Sequence, residues 1–150
     1  AEYEDENRDP RHESDRIYAT SLTHKHLPEM QKLCGLTKKP VFSPIVGDFY
    51  AGMATSVLLP GVDAQRAWEA LNDHYAGQKL VSVAPLGGDE PVIYANTYAG
   101  KDTMRIQVSG QQDQCMVTAI FDNLGKGASG AAIQNMNLLL GLEETTGLSL

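Results

Sequence analysis

The sequence predicts an α+β domain with a mixed, mostly antiparallel sheet and about three helices. Short stretches of alternating apolar and polar residues recur along the chain, whereas only three stretches have helical spacing. Strands and helices do not alternate regularly, which argues against a parallel βαβ sheet. The chain has 150 residues, of which 42% are hydrophobic and 21% charged, so it is long enough for one domain with a buried core.

The beginning of the chain is predicted to be a charged loop or tail. Residues 1–16 are rich in acids and arginines, lack periodicity and are interrupted by Pro10. The folded domain is therefore expected to span residues 17–150.

The elements within that domain follow from capping and turn signals. Asp63 is a suitable N-cap for a helix, and Gly77 is suited to end it. Met104, Ile106 and Val108 alternate with Arg105 and Gln107, which predicts one buried and one exposed strand face. Helices are predicted at Pro28–Leu33, at Ala64–Tyr75 and after the glycine-rich turn near residue 127. Strands are predicted at Ile17–Thr20, Val41–Val46, Met53–Leu59, Leu80–Ala84, Val92–Asn96, Thr103–Ser109 and Cys115–Phe121.

Composition excludes several classes of partner. A formal net charge of −7 argues against binding to a nucleic-acid backbone, which requires a basic surface. No apolar run has the length of a membrane span, so a soluble, cytoplasmic protein without membrane contact is predicted. Cys34 and Cys115 are expected to be reduced and structural, because neither lies in a cationic setting that would favour a thiolate.

The segment Phe121–Asn137 joins a predicted strand to a helix through a glycine-rich turn. The three glycines let a ligand approach the backbone, and Lys126 adds a positive charge, a combination typical of anion-binding turns. The turn has the G-x-G-x-x-G spacing of dinucleotide folds. No second strand follows the helix to complete a βαβ unit, so a self-contained dinucleotide site is not favoured.

A pair of histidines suggests acid/base chemistry. His24 and His26 are two residues apart, so in an extended segment both would lie on one face about 7 Å apart, with Lys25 on the other. Glu29 could orient one imidazole. Ordinary surface histidines are an alternative, and a metal site is a weaker one because two imidazoles and one carboxylate lack further nearby ligands. No metal is predicted.

Four motifs, in this order, make the chain resemble the C-terminal part of the N-acetyl-γ-glutamyl-phosphate reductases. The resemblance runs from about Ile17 to the end of the sequence. The motifs are His24-Lys25-His26-Leu27-Pro28-Glu29, Phe42-Ser43-Pro44, Asp122-Asn123-Leu124 with Lys126-Gly127-Ala128, and Gln134-Asn135-Met136-Asn137.

The resemblance implies the second domain of the glyceraldehyde-3-phosphate-dehydrogenase-like reductases, whose sheet packs against a second subunit. It thus implies a homo-oligomer. In that family a cysteine thiolate attacks an acyl phosphate, phosphate leaves, and hydride from NADPH reduces the thioester to an aldehyde. NADP(H) would be bound mainly by an N-terminal nucleotide-binding domain, and neither that domain nor the cysteine motif is in this chain. The chain alone is therefore expected to be inactive.

Residue by residue, the resemblance assigns the acid/base role to His26 or His24, with Glu29 as the orienting partner. It assigns contacts near the cofactor to Asn123, Lys126 and Gly127.

Binding of the substrate is less defined by the resemblance. Many relatives have an Arg-Gly pair where this chain has Tyr50-Ala51-Gly52. Lys25 and Arg105 are therefore the candidates for binding the substrate carboxylate or phosphate.

Two other functions stay open at this level. The chain could be a stand-alone dimerisation or binding module. It could also belong to a sibling aspartate-semialdehyde or N-acetyl-aminoadipyl-phosphate reductase, which shares the fold and the chemistry.

Overall fold

The computed structural model describes residues 5–150, which form two compact units. The first extends to Phe49 and the second spans Tyr50–Leu150. The sequence predicts a single domain starting at residue 17, whereas the division in the structure falls at Phe49.

The first unit contains little regular structure. A two-residue strand, β1 (Arg16–Ile17), pairs antiparallel with β2 (Ile45–Val46), and one α-helix, α1, spans Leu27–Leu33. The charged segment predicted as a loop or tail contains a 3-10 helix at Pro10–Glu13, and Arg8 forms an ion pair with Asp48 at 2.8 Å. Both predicted strands, Ile17–Thr20 and Val41–Val46, are thus shorter than expected.

Helix α1 ends at the predicted residue, Leu33, and begins at Leu27, one residue before the predicted start. Pro28 lies in its first turn, where its missing N–H costs nothing. At the other end Gly35 has φ +62°, and the amides of Gly35 and Leu36 donate to the carbonyls of Lys32 and Gln31. This pair of bonds is the Schellman motif, which satisfies the last carbonyls of a helix.

The second unit is built on a four-stranded sheet, and it confirms the α+β class. The strands lie in the order β3-β6-β5-β4; only β4 and β5 are parallel, so the sheet is mixed and mostly antiparallel. The elements are β3 (Met53–Pro60), α2 (Ala64–His74), β4 (Val81–Val83), β5 (Met104–Gly110), β6 (Gln114–Phe121) and α3 (Gly130–Leu139).

Helix α2 covers one face of this sheet. Its Ala64 packs with Val108 and Cys115, and Trp68 and Leu71 pack against that cluster. The Asp63 carboxylate accepts a hydrogen bond from the Arg66 amide at 2.9 Å, which confirms the predicted N-cap.

Two predictions on β5 and its surroundings are wrong. Val92–Asn96 is not a strand; the amides of Thr97, Ala99 and Lys101 instead donate three residues back, which makes consecutive turns. Gln107 is not exposed, because the turn at Gly88 covers it and its Nε2 donates to the Gly87 carbonyl at 3.2 Å.

The last residues of the chain are tied back to α3 and to the start of β5. Buried Asn137 donates from Nδ2 to the carbonyls of Glu144 and Thr146 at 3.1 and 2.8 Å. Asp102 exchanges two bonds with Ser149, one from its amide and one to its carboxylate.

Candidate functional site

The histidines lie in a turn that leads into α1. The Leu27 amide donates to the His24 carbonyl at 3.1 Å, so the segment is not extended as predicted. The turn brings the two imidazoles closer than the predicted 7 Å, with ring centroids 4.9 Å apart.

His26 faces Glu29 across the first turn of α1. Its Nδ1 lies 3.5 Å from Glu29 Oε2, and both side chains are exposed, at 50% and 63%. The carboxylate is therefore placed to orient the imidazole. Lys25, between the two histidines, is exposed.

His24 is the more enclosed of the two histidines. Its ring meets those of Tyr18 and Phe42 edge to face, at centroid distances of 5.7 and 5.1 Å. Its Nδ1 accepts a hydrogen bond from the His26 backbone amide at 3.3 Å. His24 therefore supports the turn that carries His26, which itself presents an open imidazole.

The glycine-rich turn lies in the second unit, between β6 and α3. It begins with a π-helical turn at Gly125–Ser129 that continues directly into α3. The buried carboxylate of Asp122 accepts hydrogen bonds from the amides of Leu124 and Gly125 at 2.7 and 3.0 Å and from the Gly100 amide at 2.6 Å. The turn thus holds an anion, but it is one of the protein's own.

The three glycines of this turn are needed for packing inside the unit. A Cβ at Gly130 would lie 2.0 Å from Asp102 Oδ1, and one at Gly125 would lie 2.8 Å from the Lys101 carbonyl. A Cβ at Gly127 would meet the Phe121 ring at 3.0 Å. The spacing that resembles a dinucleotide fingerprint therefore has a packing cause here.

The side chains assigned to the cofactor have partners within the second unit. Asn123 Oδ1 accepts from the Gly52 amide at 2.8 Å, and Lys126 Nζ donates to Gln134 Oε1 at 2.7 Å. Gln134 in turn donates to Glu144 at 3.4 Å. Both Asn123 and Lys126 are half-buried, so each is held in place while part of it stays open to a ligand.

Arg105 lines a pocket of about 440 Å³ on the sheet. It forms an ion pair with Asp89. Burial alone would lower the pKa of Arg105, but hydrogen bonding to Tyr98 and the Asp89 carboxylate raise it, so the guanidinium is firmly charged. The pocket is also lined by Lys101, so it contains two cations, although Asp89 and Glu90 offset them.

Cys115 and Cys34 differ in their surroundings. Cys115 is buried in the core, and burial raises the pKa of its thiol, which makes it a poor nucleophile. Cys34 is exposed at the C-cap of α1.

Within residues 5–150 the structure contains no group of three or more metal-binding side chains, and no helix there is long and apolar enough to cross a membrane.

Sequence reasoning missed the main role of Asp122. The sequence analysis did not indicate that the Asp122 carboxylate would bind both its own turn and Gly100, which is distant in the chain. An acid placed directly between an apolar strand and a glycine-rich turn is the sequence signal that could have indicated it.

Ionisation of Asp122 should make the second unit sensitive to acid. Burial raises the pKa of Asp122, but the three amide bonds outweigh it and hold the pKa below its ordinary value of 3.8. A lowered pKa stabilises the fold above the ordinary value, and this stability is lost as the pH falls through the folded value. We expect Asp122→Asn to lower the melting temperature of the full-length protein at pH 7 and the difference to shrink below about pH 4. A difference that is constant with pH would contradict this.

Comparison with known proteins identifies the family. The protein-family model described as "semialdehyde dehydrogenase, dimerisation domain" matches residues 2–123. The chain is 46% identical over 132 residues to an N-acetyl-gamma-glutamyl-phosphate reductase of Sinorhizobium fredii, an alignment that covers 83% of this chain and 43% of the relative. It is 44% identical over 135 residues to the protein of the same name from Brucella ovis, with 83% and 44% covered.

The chain therefore spans less than half the length of these curated relatives. The family match includes the histidine turn, the sheet and the start of the glycine-rich turn, and it agrees with the α+β architecture described above. The chain belongs to the semialdehyde dehydrogenase dimerisation domain family.

Proposed function

We propose that the chain is the C-terminal domain of an NADP-dependent N-acetyl-γ-glutamyl-phosphate reductase, which converts an acyl phosphate to a semialdehyde in arginine biosynthesis. The observation that carries the proposal is the pairing of His26 with Glu29 at 3.5 Å in an exposed turn. The family match and the shared names of the relatives support the reaction class. A biosynthetic enzyme of this kind would work in the cytoplasm.

In this proposal His26 is the acid/base group. An imidazole exchanges protons near neutral pH, so it can keep the nucleophilic cysteine of the other domain ionised and later donate a proton to the product. Glu29 orients the ring, and His24 holds the turn through its bond from the His26 amide. Lys25, the residue directly before His26, is exposed, and Lys25 and Arg105 are the candidates to bind the substrate carboxylate or phosphate.

NADPH, when bound, would supply the hydride that reduces the thioester. The described residues could form only the edge of the NADPH site. The amides of Leu124 and Gly125 are already bound to Asp122, so they cannot donate to a cofactor phosphate. Asn123 and Lys126 remain as side chains that can contact the cofactor, with Gly127 keeping the turn compact. This supports binding of NADP(H) mainly by a separate N-terminal nucleotide-binding domain.

Strand β3 is the candidate surface for homo-oligomer formation. It is an outer strand of the sheet, and its Val57 and Leu58 are 51% and 72% exposed. Apolar side chains on an outer strand favour burial against another surface, and the matching family is described as a dimerisation domain.

The direct test is an assay of the full-length protein for NADPH consumption that depends on N-acetyl-γ-glutamyl phosphate. Aspartyl phosphate and N-acetyl-aminoadipyl phosphate serve as matched alternatives. Preference for either alternative would assign the chain to a sibling reductase. The absence of turnover with all three would favour a binding module.

A further inference from the structure

Asp122 joins two segments that are distant in the sequence. Its Oδ1 accepts from the amides of Leu124 and Gly125, at the start of the glycine-rich turn. Its Oδ2 accepts from the Gly100 amide, at the end of the series of turns that precedes β5. The residue is only 4% exposed, so these bonds are shielded from water and strong.

Two further amides of the turn also donate within the protein. The Gly127 amide donates to the Asp122 carbonyl at 2.8 Å, and the Ser129 amide donates to the Leu124 carbonyl at 3.1 Å. Four amides that an anion-binding turn would offer to a phosphate are therefore engaged within the protein.

The side chains of Asn123 and Lys126, unlike these amides, still have hydrogen-bond donors for a ligand. The Oδ1 atom of Asn123 is used by Gly52, so its Nδ2 group is the part able to donate to a ligand. Lys126 donates to Gln134 and, with three ammonium hydrogens, retains capacity for a further acceptor. Both lie within four residues of Asp122, on the backbone that its carboxylate holds.

We propose that Asp122 is a positioning residue for the reductase reaction, which fixes the turn so that Asn123 and Lys126 contact the cofactor through their side chains. This rests on the proposed function. The four amides engaged within the protein are not available to a cofactor phosphate. Asp122 acts by holding the turn to Gly100 and does not touch the cofactor itself.

The test uses Asp122→Asn in the full-length protein, because asparagine keeps the shape but loses the charge and one acceptor. We expect the KM for NADPH to rise about tenfold, with a smaller change in kcat. The control is Asp63→Ala, which removes the N-cap bond of α2 and weakens the fold at a site where no cofactor contact is proposed. It should leave the KM for NADPH within about twofold of the wild type.

A double-mutant cycle separates positioning from general loss of stability. In a protein that already carries Asn123→Ala and Lys126→Ala, adding Asp122→Asn should raise the KM by less than about twofold, since the groups it positions are gone. Hydrogen–deuterium exchange should show faster exchange in segments 97–102 and 122–130 of Asp122→Asn but not of Asp63→Ala. If Asp122→Asn does not fold, Asp122→Ser, which retains one acceptor for the turn amides, replaces it.

The outcomes distinguish this inference from the function on which it rests. If the wild-type protein turns over normally and Asp122→Asn leaves the KM for NADPH unchanged, the positioning role alone is overturned. The same holds if the effects in the double-mutant cycle are fully additive. A wild-type protein that neither binds NADPH nor reduces an acyl phosphate would overturn both, even if the exchange data showed the same anchored turn.

Discussion

Replacing His26 with alanine in the full-length protein is expected to lower acyl-phosphate-dependent NADPH consumption by about a hundredfold or more, the usual scale of acid/base catalysis. The reason is geometric. His26 has an exposed imidazole with Glu29 at 3.5 Å, whereas the ring of His24 is enclosed by Tyr18 and Phe42. NADPH binding should be unchanged, so the loss should fall on kcat.

Two matched variants serve as controls for His26→Ala. Glu29→Gln should cause a smaller loss, about tenfold, because the neutral amide orients the imidazole less firmly than the carboxylate does. His24→Ala should mainly lower the melting temperature, since it removes the acceptor of the His26 amide. Near-normal turnover of His26→Ala together with a large loss in His24→Ala would transfer the catalytic role to His24.

Replacing Gly52 with alanine is expected to destabilise the second unit by about 3 kcal/mol or more, because backbone strain and overpacking add. Gly52 has φ +122°, and a Cβ there would lie 2.5 Å from the Ala95 carbonyl oxygen and 2.6 Å from Asn96 Cα. These are backbone atoms, so they cannot move aside cheaply. Because the Gly52 amide also binds Asn123, the KM for NADPH should rise with the loss of stability.

The control for Gly52→Ala is Gly61→Ala. Gly61 also has a positive φ, +75°, but nothing lies within 4 Å of the Cβ position. This variant should lose only about 1–2 kcal/mol, from backbone strain alone, and should bind NADPH normally. Urea unfolding and NADPH titration of the full-length variants would measure both effects, and equal losses at the two glycines would contradict the role of the Ala95 contact.

The elements with a local chemical cause were predictable from the sequence. Pro28 and Gly35 bracket α1, Asp63 caps α2, and the apolar alternation of Met104, Ile106 and Val108 marks β5. Each of these signals acts over a few residues, so no knowledge of the tertiary structure was required.

The errors arose where local turns replace the expected element or where another segment covers or binds the residue. Val92–Asn96 has the composition of a strand but forms local turns, and Gln107 is buried only because the turn at Gly88 lies over it. In the same way, the glycine spacing near residue 127 predicted an anion-binding turn, while Asp122 supplies the anion from within. The assignments to His26, His24, Glu29, Lys25 and Arg105 stay predictions for the assays above.

The bonds between the last residues and the rest of the second unit restrict how this domain can be exchanged between related enzymes. Asn137 depends on the carbonyls of Glu144 and Thr146, and Asp102 binds Ser149 while it packs against Gly125 and Gly130. In a chimera that took residues 102–137 from one parent and residues 144–149 from another, any difference in the path of the final segment would move the carbonyls away from the buried Asn137 amide. The two segments are therefore best transferred together, as one module.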